Sequence, residues 1–436
     1  MQLSERVQIT RFNNIFLGCK KLSSIIIPKG VKTIGNNAFS GCVGLKSVTI
    51  PQSVTGIVSG AFYGCDNLKD IHLSDIAAWC EIEIIGEGDD LYTFPYKQGY
   101  NLFLNDEEIK DLVIPDGIAS IAVCAFRSFT GLTSVTFPES MIIIGKGAFS
   151  RCTGLTSVNM SESIEIIYQY AFDYCSNLTS ITIPSNVWAI GDRAFYGCTH
   201  LVSVNIPNSV TYIGPRTFDG CNKIATLSWN SLLNPSVITQ YCKSSLNNLE
   251  LGDNVKAIEN NAFEGFANLN SATIGNSVVS IGEMAFRNCI QLSSAILGNS
   301  VETIGKQAFS GCKKLTSITI PANVMNIEAG AFNQCSGLKQ LISNAEIPPV
   351  CGSKVFNLVN KQNCILFVPN DSKSAYREAD QWKDFLTIED NSDVENAIIS
   401  VRDNHKNTIF YDLSGRRVQQ PSSGLFIKNG KKLMIK

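Results

Sequence analysis

Only three of the 436 residues are histidine, His72, His200 and His405, and no H-x-x-x-H spacing joins them. A metal centre or a His-assisted nucleophile has little material to draw on. Charge is scarce too: charged residues make up 17%, and 36 Lys+Arg against 38 Asp+Glu leave a net charge of -2. No positive field is available to hold phosphates or an anionic membrane surface, so nucleic acid is not an expected partner. Long apolar runs are missing. Pieces such as Met141-Ile142-Ile143-Ile144 fall far short of the ~18 residues of a membrane span, and no transmembrane segment is expected. The opening MQLSERVQIT has neither the basic head with an apolar stretch nor the cleavage site of a secretory signal. What remains is a core-rich chain, 44% hydrophobic, too long for one globular core and therefore either several domains or a repeat array.

The repeat decides for the array. The frame L-x-S-[VI]-T-[IL]-P-x-x-V-x-x-I-G-x-x-A-F-x-G-C-x-x runs cleanly over Leu45 to Leu68, Leu132 to Leu201 and Leu292 to Leu338. Phe recurs at 16, 39, 62, 126, 149, 172, 195, 218, 263, 286, 309 and 332, stepping by 23 except at two places. The piece around Leu45, Val48 and Ile50 reads as a short strand that Pro51 closes. One strand per coil implies parallel, in-register stacking at ~4.8 Å, so twelve to fourteen rungs span on the order of 60 Å. The repeated Leu, Val, Ile, Ala and Phe must face inward, and the phenylalanines stack as a ladder. Gly35, Gly145, Gly191, Gly214, Gly282 and Gly305 follow an inward Ile, where the chain needs a positive φ or a close backbone approach.

Two interruptions, of 64 residues between Cys65 and Phe129 and 45 between Cys221 and Phe266, still contain strand-like pieces. They read as longer or degenerate coils near 70–115 and 224–258 within a solenoid spanning 1–340. Residues 341–390 read as a capping unit, with a helix over 372–379 capped by Asp371 or Ser372, and with Tyr376, Trp382 and Phe385 covering the last coil. Residues 391–436 form a short β-rich tail.

Ten of the 15 cysteines (19, 42, 65, 152, 175, 198, 221, 289, 312 and 335) occupy one column, three residues after the ladder Phe. No CxxC occurs, and β-carbons one coil apart stand wider than a disulfide prefers. They read as buried thiols acting as small hydrophobes, since Phe129 and Phe266 take the same column. Cys351 and Cys364 remain a candidate disulfide. Gly145 to Ser150 lacks phosphate-loop spacing, acidic residues recur in no pair, and the Trp79 to Tyr100 stretch has carboxylates without a matched base. No catalytic residue, metal ligand or cofactor is assigned, and the chain does not read as an enzyme.

Two surfaces stand out as binding candidates. One is the outward strand column with Thr136, Asn159, Thr182 and Asn205, which is either a polar groove for an extended ligand or an internal hydrogen-bond ladder. The other is aromatic: Tyr168, Tyr170, Tyr174, Trp188, Tyr196 and Tyr212 fall in three successive coils, where they would either anchor a ligand or pack over the coil edge.

The unit LTSITIPxxVxxIGxxAFxGC resembles the BspA-type leucine-rich repeat of surface proteins from Bacteroidetes and some mucosal protists, over about 20 to 340, and residues 344–390 look like the unit that closes such arrays. The tail, through Tyr411 to Arg416, Gly424 to Ile427 and Gly430 to Lys432, resembles the C-terminal sorting domain of type IX secretion. The resemblance implies an extracellular or outer-surface adhesion protein with a protein or glycan ligand. A structural spacer is the alternative.

Overall fold

The computed structural model describes residues 10–86 and 99–390, and beyond them four strands between 410 and 435. Residues 87–98, in the first interruption, and most of 391–423 lie outside the described residues. The chain winds as a parallel β-solenoid of about 16 turns spaced by about 23 residues, two or more beyond the rungs visible in sequence because both interruptions are themselves coils.

Each regular coil contributes two strands. The longer one, such as Ser47–Ile50, alternates half-exposed and buried residues, so Val48 and Ile50 enter the core while Ser47 and Thr49 face out. A proline turn follows, with Val54 N donating to Pro51 O at 3.0 Å. A second strand of two or three residues, such as Ile143–Ile144, pairs with its neighbours to form a narrower sheet. Registry is exact in sequence terms: Ser134 pairs with Ser157, and Thr182 with Asn205, each 23 residues on. A one-residue slip would expose every core side chain, which locks the stacking.

Between the second strand and the next coil lies the ladder. Phe149, Phe172 and Phe195 are fully buried, with ring centroids 5.5 Å apart and planes within 6° of parallel. Ring stacking extends from Phe263 through Phe286, Phe309 and Phe332 to Phe356. The column of cysteines beside it adds polar order: Cys152, Cys175 and Cys198 each donate to the carbonyl of the ladder phenylalanine one coil back, at 3.0, 3.2 and 3.3 Å. Phe129 and Phe266 replace cysteine in the coils that follow the two interruptions. Their rings meet Phe126 and Phe263 edge-on instead.

The glycines after the inward isoleucine serve close approach. A β-carbon on Gly305 would stand 2.6 Å from Ile281 O, and one on Gly145 would overlap Ile121 O. Positive φ falls elsewhere, two residues before and two after the ladder Phe, on Gly147 and Arg151, Tyr170 and Tyr174, Arg193 and Gly197, Arg216 and Gly220. The turn is thus made at positions that side chains as well as glycine occupy.

The two interruptions each fold a short helix into the stack. In the first, α1 (Ile76–Cys80) is capped by Asp75, whose side chain accepts from Ala78 N at 2.8 Å, and Trp79 fills the core while donating to Ala125 O. Strand Asn101–Leu104 then pairs with Asp70–Leu73 and turns back in a hairpin with Glu107–Ile109. In the second, α2 (Ser236–Cys242) takes the place of a ladder coil, with Asn234 accepting from Ser236 N and Trp229 buried. At the far end, α3 (Lys373–Glu378) is entered from a 3-10 turn at Asn370–Ser372. Because Ser372 is already helical in φ and ψ, neither Asp371 nor Ser372 caps α3 through its side chain. Tyr376, Trp382 and Phe385 are buried, and Trp382 and Phe385 lie against Phe356 at 5.1 and 5.2 Å. Cys351 and Cys364 are free thiols, not a disulfide. In the tail, strands Phe410–Tyr411, Arg417–Val418, Gly424–Lys428 and Lys431–Ile435 form an antiparallel sheet.

Candidate functional site

The coil corner around the ladder phenylalanine projects two left-handed residues per coil, and in four successive coils, those of Phe149, Phe172, Phe195 and Phe218, these include Arg or Tyr. Among the described residues, Arg and Tyr take a positive φ only at Arg151, Tyr170, Tyr174, Arg193 and Arg216. A non-glycine residue in that region costs ~1–2 kcal/mol, a cost Gly60 and Gly64 avoid in an earlier coil.

These side chains interlock. The Arg151 guanidinium lies 5.1 Å from the Tyr174 ring centroid, and Tyr174 meets Tyr196 edge-on at 5.2 Å. Arg193 sits 5.8 Å from the Tyr196 ring and 5.6 Å from that of Tyr170, and its NH1 donates to Tyr170 Oη at 3.3 Å. The chain Arg151, Tyr174, Tyr196, Arg193, Tyr170 is therefore continuous across coils, cation over ring. Tyr174 rests on Gly197, where a β-carbon would stand 2.9 Å from its ring. One coil's glycine makes room for the previous coil's tyrosine.

Beneath lies Asp173, 6% exposed, with Ser150 beside it at 1%. Burial pushes the Asp173 carboxyl up to about 6, against the opposing pull of Ser150 and of Arg127, Arg151 and Arg193. Neither Ser150 Oγ, Asp173 Oδ1 nor Arg151 Nε has a hydrogen-bond partner of normal geometry. Burial also raises the Tyr174 hydroxyl, reinforced by Tyr196, so Tyr174 stays a neutral donor at neutral pH.

The structure divides the ten sequence candidates into three groups. Tyr170, Tyr174 and Tyr196 come together as described. Trp188 and Tyr212 lie on the narrow-sheet side, where Trp188 O accepts from Tyr212 N at 3.1 Å and Tyr212 Oη donates to Asp192 at 3.3 Å, and Tyr168 stands exposed at the corner position that glycine holds in most coils. Thr136 with Asn159, and Thr182 with Asn205, are in-register neighbours on the broad sheet. Among the described residues, none of these four side chains makes a hydrogen bond within the chain. The internal ladder belongs to a neighbouring column, where Thr156 donates to Thr133 O and Thr179 to Thr156 O. Sequence reasoning passed over Arg151, Arg193 and Asp173. The available signal was arginine standing in columns that other coils fill with Gly or Asn.

Among the described residues no cluster of His, Cys, Asp and Glu could hold a metal ion, and no helix is long and apolar enough to cross a membrane. In-register coils on a single apolar ladder define a leucine-rich-repeat solenoid. The chain belongs to the BspA-type leucine-rich repeat family, whose model matches residues 10–83, 97–225 and 238–360. Among solved structures it is similar to a leucine-rich repeat protein from Bacteroides ovatus, 26% identical over 87% of this chain and 86% of that one, TM-score 0.46. A leucine-rich cell surface protein from Faecalibacterium prausnitzii is 25% identical over 84% and 87%, TM-score 0.35. The pneumococcal vaccine antigen PcpA is 19% identical over 88% and 92%, TM-score 0.29. No curated protein matches.

Proposed function

We propose that this chain is a non-catalytic binding protein, displayed on the cell surface or secreted, that attaches to a host or microbial protein or glycan through its solenoid surface. The observation that carries the reading is the interlocked Arg151, Tyr174, Tyr196, Arg193 and Tyr170 flank. Side chains held at a conformational cost, half-exposed and rich in donors and ring faces, suit recognition better than solubility. The unengaged Thr136, Asn159, Thr182 and Asn205 offer a second face of adjustable donors and acceptors. Family membership and a cell-surface relative support an outer location, and the antiparallel tail is assigned to export on its likeness to a sorting domain.

The test is binding of the whole chain, immobilised, to a panel of matrix proteins and glycans at physiological salt. Specific capture of one class, weakened by substitution on the flank or on the broad sheet, is the expected result. Uniform absence of binding overturns it and favours the spacer reading, which the regular internal ladders of Thr133, Thr156 and Thr179 also support.

A further inference from the structure

The flank has features that narrow its ligand, given that the chain is a binding protein. Its cations are uncommitted: among the described residues neither Arg151 nor Arg193 has a carboxylate within salt-bridge distance. Arg151 Nε is buried without a partner, and of the Arg193 donors one is bonded, to Tyr170 Oη. A guanidinium lying over a ring keeps its in-plane N–H groups for a planar or tetrahedral anion. Asp173 is buried beneath the pair, and the neighbouring Asp192 accepts from Tyr212 Oη at 3.3 Å.

The spacing selects among anions. Equivalent positions in successive coils are offset by the stacking distance, 5.5 Å between the rings of Phe149, Phe172 and Phe195. That pitch is close to the length of one pyranose residue in an extended glycan. An extended peptide places same-face side chains every ~6.7 Å, and drifts out of step within a few coils. Tyr174, 40% exposed, and half-buried Tyr196 supply hydroxyl donors for sugar oxygens and the part of their ring surface that Arg151, Gly197 and Arg193 leave uncovered.

We propose that this flank binds an anionic polysaccharide, with sugar rings on Tyr174 and Tyr196 and carboxylate or sulfate groups on Arg151 and Arg193. The inference rests on the binding reading above and adds the ligand class and the residues.

The experiment measures binding of the whole chain, at ~150 mM salt, to four probes. These are a hyaluronan decasaccharide (carboxylates alone), a chondroitin sulfate decasaccharide (carboxylates and sulfates), neutral cellohexaose and a polyglutamate peptide. Binding to one or both charged glycans, stronger than to polyglutamate or cellohexaose, is expected, and which of the two binds better tells carboxylate from sulfate. The variant R151Q/R193Q should weaken it at least about tenfold while keeping a single cooperative thermal melt. R151K/R193K, which keeps charge and loses the fork geometry, should fall between. Equal binding of polyglutamate or cellohexaose overturns the proposal, as does an unaffected double variant. If the chain instead captures a protein through other residues, the binding reading stands and this one fails; if nothing binds, both fail.

Discussion

Cys175 donates its thiol to Phe149 O at 3.2 Å, the carbonyl of the ladder phenylalanine one coil back, which also accepts from Cys152 N at 3.2 Å. Wherever the next coil carries a column cysteine, the ladder carbonyl thereby ties its own coil to the next. Cys175→Ala removes a donor and leaves a small void, at an expected loss of ~1–2 kcal/mol in denaturant unfolding. The same burial holds Cys175 and Cys312 well above the normal thiol range and pushes Cys65, Cys289 and Cys335 up to about 12. Cys19, alone of the ten column cysteines, is exposed, against the expectation of a wholly buried column, so in a thiol titration of the native chain Cys19 should react at once, half-buried Cys351 slowly, and the other nine only on unfolding.

Phe195→Ala should lose ~3–5 kcal/mol, because the ring is fully buried between Phe172 and Phe218 at 5.5 and 5.6 Å. Stability in a stacked array resides in neighbour interfaces, so hydrogen exchange should accelerate in both adjacent coils. Protection lost in the mutated coil alone would contradict the ladder.

Two glycine columns should respond differently. Gly305→Ala drives a β-carbon against Ile281 O and the Gly282 backbone, with an expected loss of ~1–3 kcal/mol or more. Gly60→Asn should change stability by only a few tenths, since φ there is +80°, nothing crowds the site, and Asn14, Asn37 and Asn261 hold the same position in other coils. Comparing the two melting temperatures checks the assignment.

Asp173 gives a pH signature. Its folded pKa, about 6, lies above the ordinary aspartate value of 3.8, so between those values the folded chain binds more protons than the unfolded one. Stability from this group therefore rises as pH falls from above 6 toward 4, by up to on the order of 3 kcal/mol. Arg127, Arg151 and Arg193 face it as charges, with Ser150, Tyr174 and the thiols of Cys124, Cys152, Cys175 and Cys198 around it. Asp173→Asn should flatten the difference in melting temperature between pH 4 and pH 7. The same protonation removes a negative charge from beneath the flank, so an anionic ligand should bind more tightly below pH 6 than at pH 7.

Substituting Thr182, Asn205 and Trp188 together separates the faces. Attachment through the broad or narrow sheet is lost in that variant, while attachment through Arg151 and Arg193 survives it. A binding assay run beside R151Q/R193Q shows which holds.

The repeat itself was legible. A period of 23 residues with fixed Leu, Ile, Ala and Phe columns admits one way to hide so many apolar groups, so stacked coils, inward phenylalanines, strand-ending prolines and the aromatic cover of Trp382 and Phe385 follow from the sequence alone. Other features were decided only by neighbouring coils in three dimensions. For Gly145 the sequence leaves positive φ and close backbone approach both open until Ile121 O is placed against it, and a cysteine reads as a small hydrophobe until its thiol is seen to donate to the Phe carbonyl one coil back. The helices α1 and α2 escape a pattern of period 23 because they occupy the stretches where the pattern lapses. Arg151 and Arg193 are unremarkable as letters. They become a pair because two coils of winding bring them around Tyr174 and Tyr196, and that distance is set by the stacking of the core, which local sequence does not encode.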